Sequence, residues 1–405
     1  MTDSPEYRLW QWEQGASPGP WYISVFPTNR CNLRCSICWQ RRVEIDYSQE
    51  CTDERWMRLV DEAADLGVKE WVIVGGGEPM IRDDLVIRMC ERITERGMGG
   101  RIQTNGYHFK EEHFIRLADI GWPAIVFSVD GPTQEINDMV RSKGSFAHAT
   151  EHIRTFSRIR RERGVMYPKL SMSMVITRQN APHLDRYVEL AHEIGCDGVG
   201  GGHLTIEGDY CQTFVLQEEE IARFPEYVQQ AEKRAKELGI DQSFGDLLRQ
   251  PSGYAGKAWP PLPPKNSTGL QCTPCFEPWL SLQILADGKV GPCCVFWDTE
   301  ADNIQRAPLN DIWQGLYFQK LRASMLEQRF PPYCIYCHTS FRIRDELFRT
   351  GFTRVREETL LTTAPPLKRC AFLLNKSLAS VKKNGLSGAL RRGKEWWQIR
   401  TKRQP

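Results

Sequence analysis

The chain has 405 residues, 41% hydrophobic and 26% charged, ordinary values for a globular protein with one large core and an appended module. No run of eighteen apolar residues occurs and the N-terminus lacks a basic, apolar signal pattern, so neither a membrane span nor a secretory signal is expected and the reading is cytoplasmic. The net charge of +2 hides an asymmetry: residues 366–405 carry eleven Lys and Arg against Glu395 alone, and the chain before them is near −8. In a reducing compartment, fourteen cysteines read as metal ligands or free thiols rather than disulfides.

Taken in chain order, residues 1–20 form an N-terminal extension, and a first strand is predicted over 21–26. Cys31, Cys35 and Cys38 follow at once, spaced C-x3-C-x2-C. Three thiolates on one loop can hold three irons of a [4Fe–4S] cubane and leave the fourth iron open, whereas a closed zinc site wants four ligands. A helix is predicted over Thr52–Ala64 with Thr52 as its N-cap, then a strand over Trp71–Val74 ending in Gly75-Gly76-Gly77-Glu78-Pro79. The glycines allow close approach of backbone to a ligand, and their free amides and carbonyls suit an amino-acid-like group. Helices over Asp83–Thr94, Glu111–Ala118, Ala147–Arg160 and Ala181–Ile194 alternate with strands over Gly100–Gln103, Ala124–Ser128, Ser171–Ile176 and 197–202. Polar residues again sit at strand ends, in Thr104-Asn105-Gly106 and in Ser128-Val129-Asp130-Gly131-Pro132. Six such βα units make either an incomplete barrel or an open doubly wound sheet, and both bind ligands at the C-terminal ends of their strands.

This constellation resembles the radical S-adenosylmethionine (SAM) superfamily over about residues 20–205. The resemblance implies a partial (β/α)6 TIM-like barrel over 21–250. It also implies a [4Fe–4S] cluster on Cys31, Cys35 and Cys38, with SAM chelating the open iron. Ile37 would pack near the adenine, Gly76, Gly77 and Glu78 would contact the methionine amino group, and Asn105, Ser128, Asp130 and Arg141 would contact ribose or carboxylate. One electron from the cluster would then cleave SAM to a 5′-deoxyadenosyl radical able to take hydrogen from carbon.

After a Pro- and Gly-rich linker at 251–270, a second cysteine set begins. Cys272 and Cys275 precede an apolar run over 278–284, an Asp287-Gly288 turn, and Val290 through Cys293-Cys294, read together as a β-hairpin. A helical stretch over 309–328 leads to Cys334-x2-Cys337. From the residues alone, this four-thiolate cage suits zinc as well as iron. The region resembles the SPASM/Twitch extension of radical SAM enzymes, whose C-x9–15-G-x4-C signature is met by Cys275, Gly288 and Cys293. That resemblance implies a cluster domain of hairpin plus helix over 271–345. It would carry a second, auxiliary [4Fe–4S] cluster on Cys275, Cys293, Cys334 and Cys337, with Cys294 and Cys272 as competing ligands. The later cysteines of a full SPASM pattern are missing, which favours the shorter Twitch form.

The tail over 346–405 mixes its cations with Phe372, Leu373 and Trp396-Trp397, so peripheral contact with an anionic membrane is one reading and a packed or solvated tail the other. About twenty residues precede the first strand, too few for the leader-peptide-binding domain common among peptide-modifying members. The expectation is therefore an oxidoreductase for a small, hydroxylated, sugar-like substrate, its auxiliary cluster accepting an electron. A flavodoxin or ferredoxin would be the reductant, and no nucleic acid is involved. The alternative enzyme crosslinks or epimerises a peptide or protein, and the alternative of another class is a metal-binding interaction protein with an inactive SAM site.

Overall fold

The computed structural model describes residues 3–205, 208–249, 269–337 and 339–363. The linker expected at 251–270 and the tail beyond 363 lie almost wholly outside these residues. The chain divides into two compact units, Met1–Phe348 and Arg349–Pro405. In the second unit the described residues, 349–363, are helical, with Phe352 and Thr359 buried.

The first unit opens with helix α1 (Pro5–Glu13), which the sequence reading missed. Ser4 caps it by accepting from the Tyr7 amide, and buried Arg8 ties it to the sheet by donating to the carbonyls of Pro20 at 2.8 Å and Gly67 at 2.6 Å. Strand β1 (Tyr22–Val25) follows, then α2 (Asp53–Asp65), β2 (Glu70–Ile73), α3 (Asp83–Glu95), β3 (Gly99–Thr104) and α4 (Glu111–Asp119). Thr52 caps α2, as its position implied. Next come β4 (Ala124–Ser128), α5 (Gln134–Val140), α6 (Ser145–Glu162), β5 (Lys169–Ile176), α7 (Leu184–Ile194) and β6 (Gly198–His203). The 21-residue α8 (Glu218–Leu238), also unread in the sequence, packs along α7 and leads to β7 (Asp241–Gln242).

The strands pair in the order β7-β6-β5-β4-β3-β2-β1, every neighbour parallel. This sequential order separates the two architectures left open by the sequence. Right-handed crossovers between sequential neighbours put all helices on one face, whereas a doubly wound sheet reverses its order and covers both. The side-chain alternation agrees. Ile23, Trp71, Ile102, Ile125, Phe127 and Leu170 are fully buried, while the intervening Ser24, Gln103, Ser128, Ser171 and Ser173 are only half-buried. A parallel sheet covered on both sides would be apolar on both, so the polar alternation marks the uncovered concave face of a partial barrel.

The hairpin expected around the second cysteine set is narrower than its apolar run. Pro278–Leu280 are helical, in α9 (Glu277–Leu280), because a proline at the first turn fits a helix start. The hairpin is β8 (Ser281–Ile284) with β9 (Val290–Gly291), and β8 pairs in parallel with β1, extending the barrel sheet. The helical stretch over 309–328 breaks at Gly315 into α10 (Leu309–Gln314) and α11 (Leu316–Leu326), and α12 (Thr339–Thr363) follows Cys337.

Candidate functional site

The cysteine loop lies at the C-terminal end of β1 and is fastened by its neighbours at each step. The Glu50 carboxylate accepts from the Thr28 hydroxyl at 2.9 Å and the Asn29 amide at 2.7 Å. The Gln40 carboxamide donates to the Asn29 carbonyl. The loop beyond α5 holds the middle of the motif: the Ser142 hydroxyl accepts from the Arg34 amide and the Val140 carbonyl from the Ser36 amide. Cys31 is exposed and Cys35 and Cys38 half-buried, and the three thiols lie close enough to feel one another's charge. Burial lifts the Cys35 thiol to about 11, against the pull of Arg141.

The Gly75-Gly76-Gly77-Glu78 segment runs beside this loop, which takes up two of its four amides. The Gly77 amide donates to the Thr28 carbonyl and the Glu78 amide to the Arg30 carbonyl at 2.8 Å. A Cβ on Gly76 would fall on the Asn29 carboxamide, and one on Gly77 on the Arg30 carbonyl. The glycines thus let two loops pack backbone to backbone. Buried Glu78 accepts from the Met80 amide at 3.0 Å, the Thr104 hydroxyl at 2.7 Å and the Asn105 amide at 2.7 Å, so it knits the ends of β2 and β3 together. Burial raises its carboxyl above the ordinary value despite these donors.

Asn105 is buried, and its carboxamide donates to Asn32 in the cysteine loop while accepting from the Tyr107 amide. Asp130 is wholly buried and points away from open space: one oxygen accepts from the Val175 amide at 2.6 Å and the other pairs with Arg141 Nε at 2.7 Å. Arg141 in turn acts on Cys31, Cys35 and Glu78, which makes it the cation shared by the cysteine loop and the β2 loop. Ser128 is half-buried at the end of β4. Ile37 packs on a cluster of Val140, Leu204, Cys211 and Phe214, joining the cysteine loop to the loop beyond β6. Glu50 and Gln40 were missed in the sequence, because nothing in their spacing marks them. His203, at the end of β6, is hydrogen-bonded to the Leu247 carbonyl and tilted against the Phe224 ring.

The second cysteine set gathers beside β8. Cys275 interacts electrostatically with Cys293 and Cys337, Cys293 with Cys294 and Cys334, and Cys334 with Cys337. Cys294 is close to Cys337 as well, so both members of the Cys293-Cys294 pair adjoin the set. Burial pushes Cys294 and Cys334 up to about 12. Among the described residues, no three His, Cys, Asp or Glu side chains close on one metal ion. Four thiolates drawn from three segments are a donor set that an iron–sulfur cubane takes. The donor chemistry fits as well: thiols held neutral by burial are deprotonated outright when a metal coordinates them. None of the described cysteines is in a disulfide.

Comparison with known proteins agrees with these two centres. The family model of the Radical SAM superfamily matches residues 25–191, and that of an iron-sulfur cluster-binding domain, SPASM, matches residues 275–338. The mycofactocin maturase MftC of Mycolicibacterium smegmatis is 31% identical over 46% of this chain and 45% of its own. The PqqA peptide cyclase of Granulibacter bethesdensis is 28% identical over 73% of this chain and 75% of its own. The chain spans about half the length of the first of these curated relatives. Among solved structures, Streptococcus suis SuiB bound to S-adenosylmethionine superposes with a TM-score of 0.59 at 17% identity, covering 77% of this chain and 70% of that one. The AdoMet-bound anSMEcpe superposes with a TM-score of 0.56 at 15% identity, covering 87% of this chain and 98% of that one. No helix among the described residues is long and apolar enough to cross a membrane. Residues 25–191 are therefore a Radical SAM domain and residues 275–338 an iron–sulfur cluster-binding SPASM domain.

Proposed function

We propose that this protein is a radical SAM enzyme that modifies a peptide. The observation that carries the reading is the similarity to a PqqA peptide cyclase over about three quarters of both chains, joined to two cysteine sets on one sheet. The mycofactocin maturase similarity supports the same reading. The small, sugar-like substrate expected from the short N-terminal extension has no comparable support, and the peptide-modifying alternative takes its place. A low-potential electron donor of the flavodoxin or ferredoxin kind would serve as reductant.

Cys31, Cys35 and Cys38 would hold the first cluster, and Cys275, Cys293, Cys334 and Cys337 the second. When bound, the first cluster and SAM supply a 5′-deoxyadenosyl radical that removes hydrogen from substrate carbon. The chain's own residues supply placement. Glu50, Ser142 and the Val140 carbonyl keep the cysteine loop in one conformation. Arg141, steadied by Asp130, sets a fixed positive charge beside Cys35 and is suited to the SAM carboxylate. Asn105 and Ser128 stand at strand ends for the ribose, Ile37 offers an apolar surface to the adenine, and the Gly76-Gly77-Glu78 backbone, locked to the cysteine loop, shapes the methionine side. The half-buried serines of the concave face leave room for a polar substrate.

The test is to reconstitute the protein anaerobically, add SAM, a strong reductant and a peptide encoded beside its gene, and follow 5′-deoxyadenosine together with peptide mass. Formation of 5′-deoxyadenosine matched by a peptide lighter by two hydrogens, or by an epimerised residue, is the expected result. An unchanged peptide with turnover of a sugar alcohol would return the small-molecule reading, and no 5′-deoxyadenosine at all would favour a binding protein without catalysis.

A further inference from the structure

Two buried carboxylates, Glu277 and Asp345, lie beside the second cysteine set, and neither is among the ligands proposed for it. Glu277 is 2% exposed and lies two residues beyond Cys275. Its Oε2 accepts from the Tyr22 hydroxyl and, at 2.6 Å, from the Ser281 hydroxyl, and its Oε1 pairs with Arg344. Tyr22 and Ser281 are register partners on β1 and β8, so both project from the same face of the sheet toward this carboxylate. The Ser281 hydroxyl also lies 2.5 Å from the carbonyl of Pro292, the residue before Cys293. The Arg344 guanidinium sits over the Tyr22 ring, 4.6 Å from its centroid.

The charge of Glu277 reaches Cys275, Cys293 and Cys294, with Asp345 also beside Cys275, and that of Arg344 reaches Cys294. Four thiolates give a cubane a net negative charge, and reduction adds one more electron. A fixed negative charge nearby in a poorly polarisable interior disfavours that addition, and a positive one favours it.

We propose that Glu277 holds the reduction potential of the second cluster low, with Arg344 partly offsetting its charge and Tyr22 fixing its position. The proposal rests on the reading that Cys275, Cys293, Cys334 and Cys337 bind a cluster. It assigns to Glu277 and Arg344 opposite effects on one measurable quantity, which a merely structural ion pair would not have.

The experiment uses the full chain carrying Cys31→Ala, Cys35→Ala and Cys38→Ala, reconstituted so that only the second cluster remains, and titrated with dithionite while the reduced cluster is followed by electron paramagnetic resonance. Adding Glu277→Gln should move the midpoint to a more positive potential, and adding Arg344→Gln should move it to a more negative one. Arg344→Lys should stay near the parent. Iron should remain at about four per chain throughout. A Glu277→Gln midpoint that is unmoved or more negative, with iron intact, overturns the proposal. If Glu277→Gln loses its iron, the arginine variants decide: a lower midpoint for Arg344→Gln than for Arg344→Lys supports the proposal, and equal midpoints overturn it. If the parent itself holds no iron, the second-cluster reading fails and takes the proposal with it; iron present with unmoved midpoints sinks the proposal alone.

Discussion

The two cysteine sets reach similar chemistry by different routes. Cys31, Cys35 and Cys38 sit on one loop at the end of β1, so the chain's own connectivity brings them together, and packing only has to hold the loop still. It does so with neutral contacts from Ser142, Val140 and Gln40 and with the Glu50 carboxylate at the loop's start. The second set is drawn from Cys275 before α9, Cys293 and Cys294 after β9, and Cys334 and Cys337 before α12. The β8–β9 hairpin joins the first two of these segments, and the third meets them where α12 pairs Arg344 with Glu277, while β8 docks the whole on β1. Buried charges of both signs surround each set: Arg141 with Asp130 and Glu78 at the first, and Arg344 with Glu277 and Asp345 at the second. A local motif can tolerate change in its surroundings, and an assembled one depends on the sheet that assembles it.

The sharpest way to break this comparison is to delete the first set. Replacing Cys31, Cys35 and Cys38 together by alanine should abolish 5′-deoxyadenosine formation while iron falls from about eight to about four per chain, as loss of one of two cubanes requires. Loss of all iron would mean that the two sets are not independent. Next in size, Asp130→Asn leaves Arg141 buried without its partner and should cost about 3–5 kcal/mol in urea unfolding. It should also weaken iron at the first set while leaving the second loaded. Gly77→Ala should cost about 1–3 kcal/mol by thermal or urea melting, because its Cβ meets the backbone carbonyl of Arg30 rather than a side chain that can swing aside. Smallest, Tyr22→Phe removes one hydrogen bond to Glu277 and should cost about 0.5–1.5 kcal/mol, with SAM cleavage at the first set unchanged. A fall in 5′-deoxyadenosine for this variant would show the two regions to be coupled.

Much of the barrel was open to reading because each βα unit carries its own signal. Thr52 caps its helix through its own hydroxyl, and β4, built around Ile125 and Val126, has the bounds Ala124–Ser128 read from the sequence. Helix α1 escaped because it is short and its apolar residues, Tyr7, Leu9, Trp10 and Trp12, do not gather on one stripe, and its anchor, Arg8, looks like any surface arginine until it meets the carbonyls of Pro20 and Gly67. In the site, residue types were readable and their directions were not. Glu78 and Asp130 both sit at strand ends where ligands bind, yet each is engaged by protein groups. Gly77 serves the approach of the cysteine loop as its first task.

What the sequence determined by itself is therefore chemical and local: three thiolates spaced for one cubane, glycines where a side chain could not fit, and alternating strands and helices of a parallel sheet. Spacing along a chain is set by covalent geometry, so a motif closed within a few residues is already a site. What only the tertiary structure decided is which distant groups share a low-dielectric interior. The sequential strand order, the docking of β8 on β1, the Asp130–Arg141 pair and the Tyr22–Glu277–Arg344 group all join residues far apart in the chain. Their energies come from burial and from distances that folding alone creates.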